Sequence, residues 1–335
     1  MFIVGIETSC DDTAASIINE KKEVMASILS SQTSFHAKYG GIVPEIASRK
    51  HLELISHVCQ EALQTSCLRW TDIDLICVTK GPGLVGSLLV GVEYAKALSL
   101  ALNTPIKGVH HIEGHLLSPS LTQTITYPYM GLIVSGGHTE FVHVPKAGIY
   151  QIVGSTVDDA CGESLDKFGK SIGIPYPAGP IIEQYAARGE DTKFSFPLPS
   201  VRHRPYDMSF SGLKTAVLHV LQKLSPNELE NEIWSLCASY QRALFYHITT
   251  TAQKILASYP STMVLLSGGV SANQTLFSML QLSIDIPVLK PGKGLSTDNA
   301  AMIAWAGYLR YMAEGSDSLN FEVQSSLELE SYAVE

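Results

Sequence analysis

Apolar positions in this chain fall into short runs divided by polar, glycine-rich turns, and two of those runs are built alike. Phe2 to Ile6 is apolar, Glu7-Thr8-Ser9-Cys10-Asp11-Asp12-Thr13 is a polar turn, and Ala14 to Ile18 is apolar again. The order returns at Met130 to Val134, Ser135-Gly136-Gly137-His138-Thr139 and Phe141 to Val144. Each copy reads as strand, turn, strand. A third glycine turn, Ser267-Gly268-Gly269-Val270-Ser271-Ala272-Asn273, follows the apolar run Met263-Val264-Leu265-Leu266. The repeated hairpin predicts an internally duplicated α/β architecture with one phosphate-facing turn in each half.

Between these landmarks, Ile46 to Leu63 carries an approximate helical stripe of Ile46, Leu54, Ile55, Val58 and Leu63. Leu75 to Val78 reads as a buried strand ending in Thr79-Lys80-Gly81-Pro82-Gly83, and Leu84 to Leu102 as a helix against a sheet. Ile233 to Leu256 predicts a long amphipathic helix, and another starts near Ser296 and runs through Ala300 to Met312. The proline-rich stretch from Glu190 to Tyr206 reads as an excursion, and the acidic tail from Glu314 onward as partly disordered.

Composition narrows the class. A chain of 335 residues has room for two domains, and 45% hydrophobic against 16% charged residues describes a compact protein. A net charge of −9 argues against broad, non-specific nucleic-acid binding while leaving room for a local basic patch. The six cysteines (Cys10, Cys59, Cys67, Cys77, Cys161, Cys237) form no C-x-x-C pair and read as reduced thiols. The N-terminal run meets Glu7 before a signal-type apolar region can form, and no apolar run is expected to approach the roughly 18–20 residues of a membrane span. These features predict a cytoplasmic protein.

The densest chemistry is in Val109-His110-His111-Ile112-Glu113-Gly114-His115. In a helix, His111 and His115 stack on one face about 5–6 Å apart at Cβ, which suits a shared divalent metal. A hydrogen-bonded buried pair reads equally well. The zinc-peptidase signature needs Glu directly after the first His, and Ile112 stands there. Asp298, in Ser296-Thr297-Asp298-Asn299, reads either as helix-start chemistry or as the carboxylate of a two-His, one-Asp metal site. The Ser-Gly-Gly turns can bring backbone N–H groups close to phosphate, and Gly81 to Ser87 can do so at a helix start. Asp158-Asp159-Ala160-Cys161-Gly162-Glu163-Ser164-Leu165-Asp166-Lys167 places carboxylates on a helix, where Asp166 suits sugar hydroxyls if it lines a cleft. Gly179, in Tyr176-Pro177-Ala178-Gly179-Pro180, lets a flat ring approach the backbone. Arg202-His203-Arg204 with Lys214, Tyr206 and Phe210 interleaved, and Lys290 and Lys293, form the local basic groups that RNA contact would use.

Taken in order, Glu7 to Thr13, Gly81 to Leu84, His110 to His115, Val134 to Thr139, Ser267 to Val270 and Thr297-Asp298-Asn299 resemble the pattern of one family, over residue 2 to about residue 310. That family is bacterial TsaD, formerly Gcp or glycoprotease, the tRNA N6-adenosine threonylcarbamoyltransferases. The resemblance implies two ribonuclease-H-like domains of the actin, Hsp70 and sugar-kinase (ASKHA) class. These are expected at 1–109 plus 300–335 and at 110–299, with an adenine nucleotide in a cleft between them. It implies transfer of threonylcarbamoyl from threonylcarbamoyl-AMP to N6 of the adenosine 3′-adjacent to the anticodon, in tRNAs reading codons that begin with A.

Carried onto this chain, the resemblance makes His111, His115 and Asp298 ligands of a metal, Fe2+ first and Zn2+ second. It makes Ile133, Val134, Ser135, Gly136 and Gly137 the phosphate loop, and Asp166, Gly179, Glu183 and Asn273 nucleoside contacts. Glu183 stands where many members carry Asp, Ala178 where a glycine is usual, and Ile133 where archaeal relatives carry a metal-contacting Tyr. No general base stands out; His138 and Asp11 are the nearest groups. The expected partners are tRNA and the TsaB and TsaE proteins, with TsaC supplying the adenylate, and no membrane. Three other readings stay open: an ASKHA-type ATP-dependent small-molecule kinase, a metallopeptidase, and a non-catalytic scaffold. The kinase leaves the paired histidines unexplained.

Overall fold

The computed structural model describes residues 1–197, 201 and 203–333. In chain order the first elements are β1 (Phe2–Glu7), β2 (Asp12–Asn19), β3 (Val24–Ser31), α1 (Thr33–Ala37), α2 (Pro44–Thr65), β4 (Leu75–Gly81), α3 (Val85–Leu102), β5 (Ile106–His110) and α4 (His111–Leu117). There follow β6 (Tyr129–Val134), β7 (Thr139–Lys146), β8 (Ile149–Ser155), α5 (Cys161–Ser171), α6 (Gly179–Ala186), α7 (Ser211–Leu221) and α8 (Pro226–Ser258). The last are β9 (Val264–Ser267), α9 (Gln274–Ser283), β10 (Val288–Leu289) and α10 (Ala300–Glu314).

The elements fall into two compact units, one of Met1–Ile125, Ala147–Tyr150 and Pro291–Glu335, the other of Thr126–Lys146 and Gln151–Lys290. The expected boundaries at 109/110 and 299/300 divide the chain differently. α4 continues directly from β5, and Asp298 lies one residue before the Asn299 cap of α10; both belong to the first unit.

The first unit's sheet runs β3-β2-β1-β4-β5 and the second's β10-β9-β6-β7-β8. Read from the other edge, the second order is β8-β7-β6-β9-β10, the same topology strand for strand. β1/β2 and β6/β7 are antiparallel, and β1/β4 and β6/β9 are parallel. The predicted duplication is therefore visible in the pairing itself. β1, β4, β5 and β6 are buried almost throughout, as strands covered on both faces must be; β1, β4 and β6 are largely apolar runs, whereas β5 buries Lys107 and His110. β3 is an edge strand with mostly exposed residues, and its weak pattern hid it from sequence reading.

α10 lies directly on β1. A Cβ at Gly5 would come within 2.1 Å of the Ala300 carbonyl oxygen, so only glycine lets the first turn of α10 come this close. α3 corrects one expectation: its 18 residues have a mean hydropathy of 1.4, long and apolar enough by length and composition to cross a membrane. It carries an internal Lys96–Glu93 pair at 2.9 Å, and its Val92 and Ala95 pack into a core with Val4, Ile6, Ile76 and Val78.

The tail beyond α10 is also unlike its expectation. It has no helix or strand from 315 to 333, yet it is tied down along its length. Asp317 accepts from Lys107 Nζ and Gly108 N, Gln324 N donates to the Lys80 carbonyl, and the Tyr332 ring is buried.

Phe210, expected beside RNA, is a fully buried core residue at the start of α7, against Leu213, Phe245 and Ile248. Phe210→Ala is expected to cost about 3–5 kcal/mol of stability, read as a lower urea midpoint.

Candidate metal centre and phosphate loop

The histidine helix, α4, begins where β5 ends. His110 takes the cap position and its Nδ1 accepts from Ile112 N at 3.1 Å, while Nε2 donates to the Leu327 carbonyl at 3.0 Å. One turn of α4 then brings the rings of His111 and His115 to 4.7 Å, edge to face at 86°. Asp298 reaches them from before α10. Asn299 caps that helix, accepting from Met302 N at 3.0 Å, which frees Asp298 from the helix-start duty that its sequence context also suggested. Its Oδ1 lies 3.1 Å from His115 Nε2 and 3.7 Å from His111 Nε2.

A fourth residue holds this set. Glu7, at the end of β1 and fully buried, accepts from His111 Nδ1 at 3.0 Å and from Thr79 Oγ1 at 2.6 Å. Ser9 Oγ lies 3.2 Å from the same His111 nitrogen. With Nδ1 turned to Glu7, His111 presents Nε2 toward Asp298, the arrangement by which a carboxylate orients a metal-ligating imidazole. Burial opposes charge on His111, but Glu7 and Asp298 outweigh it and lift the imidazole to about 9. Burial likewise raises Glu7, and the His111 charge more than reverses this.

The surroundings carry more acid than one imidazolium can balance. Burial pushes Asp11 upward, with Asp298 adding to it, and pushes Asp12 to about 7. Two imidazoles and a carboxylate offer ligand atoms all within 4.8 Å of one another. That donor set, with further carboxyl groups beside it, fits a divalent cation.

In the second unit, Ile133 and Val134 are buried strand residues and the turn after them is held by its own bonds. Ser135 N donates to the His138 carbonyl at 2.8 Å, and Ser135 Oγ accepts from His138 N at 3.0 Å and Gly137 N at 3.3 Å. A Cβ at Gly136 or Gly137 would meet nothing within 4 Å. The first turn of α5 closes on the other side. Gly162 N donates to the Ser135 carbonyl at 3.0 Å, and a Cβ there would stand 2.9 Å from Gly136 Cα.

The four expected nucleoside contacts are joined in a chain of helix starts. Asp166 accepts from Ala178 N at 2.7 Å, where α6 begins with Gly179, and burial lifts its carboxyl to about 6. Glu183 accepts from Gln274 N at 2.7 Å. Asn273 caps α9, accepting from Thr275 N and Leu276 N, and donates to Gln241. A Cβ at Gly179 would make only an ordinary contact, 3.8 Å from Leu165 Cδ1.

Other sequence readings change. Asp158 lies before α5, not on it, and is exposed while accepting from Phe210 N and Ser211 N at the start of α7. Two of the amides after Gly81 are used within the chain, Gly83 N by the Ser325 carbonyl and Leu84 N by that of Ser9. Arg202 lies outside the described residues. Arg204 is exposed and pairs with Asp207 at 3.3 Å, Lys214 and Lys293 are exposed, and Lys290 lies over the Phe277 ring at 4.4 Å.

The model of one protein family, TsaD: tRNA N6-adenosine threonylcarbamoyltransferase, matches residues 23–305. The chain belongs to the TsaD family. It is 43% identical to the tRNA N6-adenosine threonylcarbamoyltransferase of Bacillus subtilis (strain 168), over 99% of this chain and 97% of that one. It is also 43% identical to that of Trichlorobacter lovleyi, over 99% and 98%. Among solved structures it resembles component A of the Acidaminococcus fermentans (R)-2-hydroxyglutaryl-CoA dehydratase (TM-score 0.57, 14% identity, 93% of this chain and 99% of that one). A ROK hexokinase from Thermus thermophilus matches with TM-score 0.50 and 14% identity, over 92% and 99%. These likenesses establish the ASKHA-type fold.

For a TsaD-family chain, the residues that sequence reading missed are Glu7 as a positioning group and its supports Thr79 and Ser9. A signal was available: Glu7 is the one charge in an otherwise apolar strand. A charge buried on a central strand needs a partner.

Proposed function

We propose that this chain transfers the threonylcarbamoyl group of threonylcarbamoyl-AMP to N6 of the adenosine 3′-adjacent to the anticodon, in tRNAs reading codons that begin with A. The observation that carries the reading is the His111, His115 and Asp298 set, oriented by Glu7, in a chain of this family. His111, His115 and Asp298 would hold one divalent cation, Fe2+ first and Zn2+ second. Such a cation supplies Lewis-acid polarisation and charge neutralisation at phosphate and carbonyl oxygens.

The protein's own part is placement. Glu7 keeps the His111 ring in one orientation. The Ser135-Gly136-Gly137 turn presents open backbone to the phosphate, while Asp166, Gly179, Glu183 and Asn273 frame the nucleoside. As N6 bonds to the carbamoyl carbon, the bond from that carbon to the phosphate oxygen breaks and AMP leaves. N6 gives up one proton, for which His138 and Asp11 are the groups to test. Burial and the Asp298 charge raise Asp11, which suits a proton acceptor.

The metallopeptidase reading is not favoured by the helix that carries the histidines. The one acidic residue of α4, Glu113, is bonded to Arg310 and Tyr150 and so is not available as a base beside a metal-bound water. By resemblance the reaction takes place in the cytoplasm, with TsaB and TsaE as partners and TsaC making the adenylate.

The test incubates the chain with unmodified tRNA, threonine, bicarbonate, ATP and those partners, then digests the tRNA and analyses nucleosides by mass spectrometry. Threonylcarbamoyladenosine that depends on this chain is the expected product. A full complement of partners with no modified nucleoside, or phosphorylation of a small molecule instead, overturns the reading.

A further inference from the structure

Glu113 lies midway between the two histidines of α4, is fully buried, and takes no part in the chemistry proposed above. Its carboxylate accepts from Arg310 Nε at 2.5 Å and from Tyr150 Oη at 2.9 Å. Neither donor is local: Arg310 belongs to α10 and Tyr150 to the 147–150 segment. Both are in turn tied to the C-terminal tail. Arg310 Nη2 donates to the Glu330 carbonyl at 2.6 Å and the guanidinium lies 4.5 Å from the Tyr332 ring, while Tyr150 N donates to Ser331 Oγ at 2.9 Å. The tail also receives the His110 Nε2 bond at Leu327, at the head of α4. A seven-residue helix has little stability of its own. Its tilt and rotation are set by what grips it: beside the apolar packing of Gly114 on Met302 and Ile303 of α10, the cap and Glu113 are the polar grips that tie it to the tail.

We infer that Glu113, Arg310, Tyr150 and the tail around Tyr332 form a positioning clamp, which fixes the rotation of α4 so that His111 and His115 meet Asp298. The inference rests on the metal reading of those three residues. Glu113 is a positioning residue and touches no reactant. Loosening the clamp turns both imidazoles together, so metal affinity and ligand geometry change while the ligands themselves remain.

The test uses the full chain and Co2+ alone, followed by its visible absorption, with His115→Ala as reference. Outer-shell partners of a metal ligand typically contribute about 10–100-fold to affinity. Glu113→Gln and Tyr332→Ala are expected to weaken Co2+ binding by about tenfold and to shift the cobalt spectrum. Tyr150→Phe, which removes one hydrogen bond and keeps the buried ring, is expected to shift the spectrum in the same sense with a smaller loss. The Tyr150→Phe arm keeps the test informative should Glu113→Gln fail to fold. Folded variants with wild-type affinity and an unchanged spectrum overturn the clamp. If His115→Ala also binds Co2+ like the wild type, the metal reading itself is overturned, and the inference falls with it.

Discussion

Replacing His111 and Asp298 together by alanine will abolish bound metal and threonylcarbamoyl transfer. The loss is expected to exceed the roughly 10–100-fold that removal of an outer-shell partner costs, because two of three ligand atoms go. The double variant needs a companion, since His111→Ala also strips the buried Glu7 of its counter-charge. Breaking a buried pair this way costs about 3–5 kcal/mol of stability on its own. Asp298→Asn avoids that, as Asp298 is partly exposed and its place in the α10 cap is filled by Asn299. A folded Asp298→Asn protein with its metal content reduced, measured by elemental analysis after dialysis, is the expected result. Full metal content and full transfer in both variants would sink the ligand assignment.

Gly136→Ala is the corresponding probe of the second unit, and its expected effect is on nucleotide alone. An added methyl group there meets no protein atom within 4 Å, so stability should stay within about 0.5 kcal/mol. If the turn presents its backbone to phosphate, the same methyl occupies the ligand's approach, and AMP affinity falls by about tenfold, or 1.4 kcal/mol. Calorimetric titration with AMP reads this directly. Gly162→Ala is the contrasting case. Its Cβ would press on the Ser135 carbonyl at 2.8 Å and on Gly136 Cα, so the turn itself must move and stability falls together with AMP binding. Unchanged AMP affinity in Gly136→Ala would remove the phosphate role from this loop.

The duplicated hairpins, the central strands and the long helices were legible because buried elements write their period into the apolar pattern. α8 was read only from Ile233, although Ser225-Pro226-Asn227-Glu228 is a capping box with proline at the first helical position. Its first two turns are polar and carry no stripe, so the cap was the signal to use. The histidine pair and Asp298 were each legible from the sequence as one of two readings, between which the resemblance chose, whereas Glu7 came from neither. Glu7 and His111 are 104 residues apart and meet only because β1, β4 and β5 lie side by side. The tail was misread for a different reason. Much of its anchoring runs through main-chain groups at Gln324, Ser325, Leu327 and Glu330, which side-chain composition does not encode.

The matching strand orders mean that one hairpin position occurs twice in this molecule, after β1 and after β6. In the first copy the turn and its margins carry Glu7, Asp11 and Asp12; in the second they carry Ser135, Gly136 and Gly137. The same backbone device has thus been given opposite electrostatic tastes. Carboxyl groups crowd one copy, while the other is neutral and glycine-rich and turns most of its amides inward, onto Ser135 Oγ and the His138 carbonyl. Repeating one strand order and recharging a single turn gives two chemically different surfaces without a new fold.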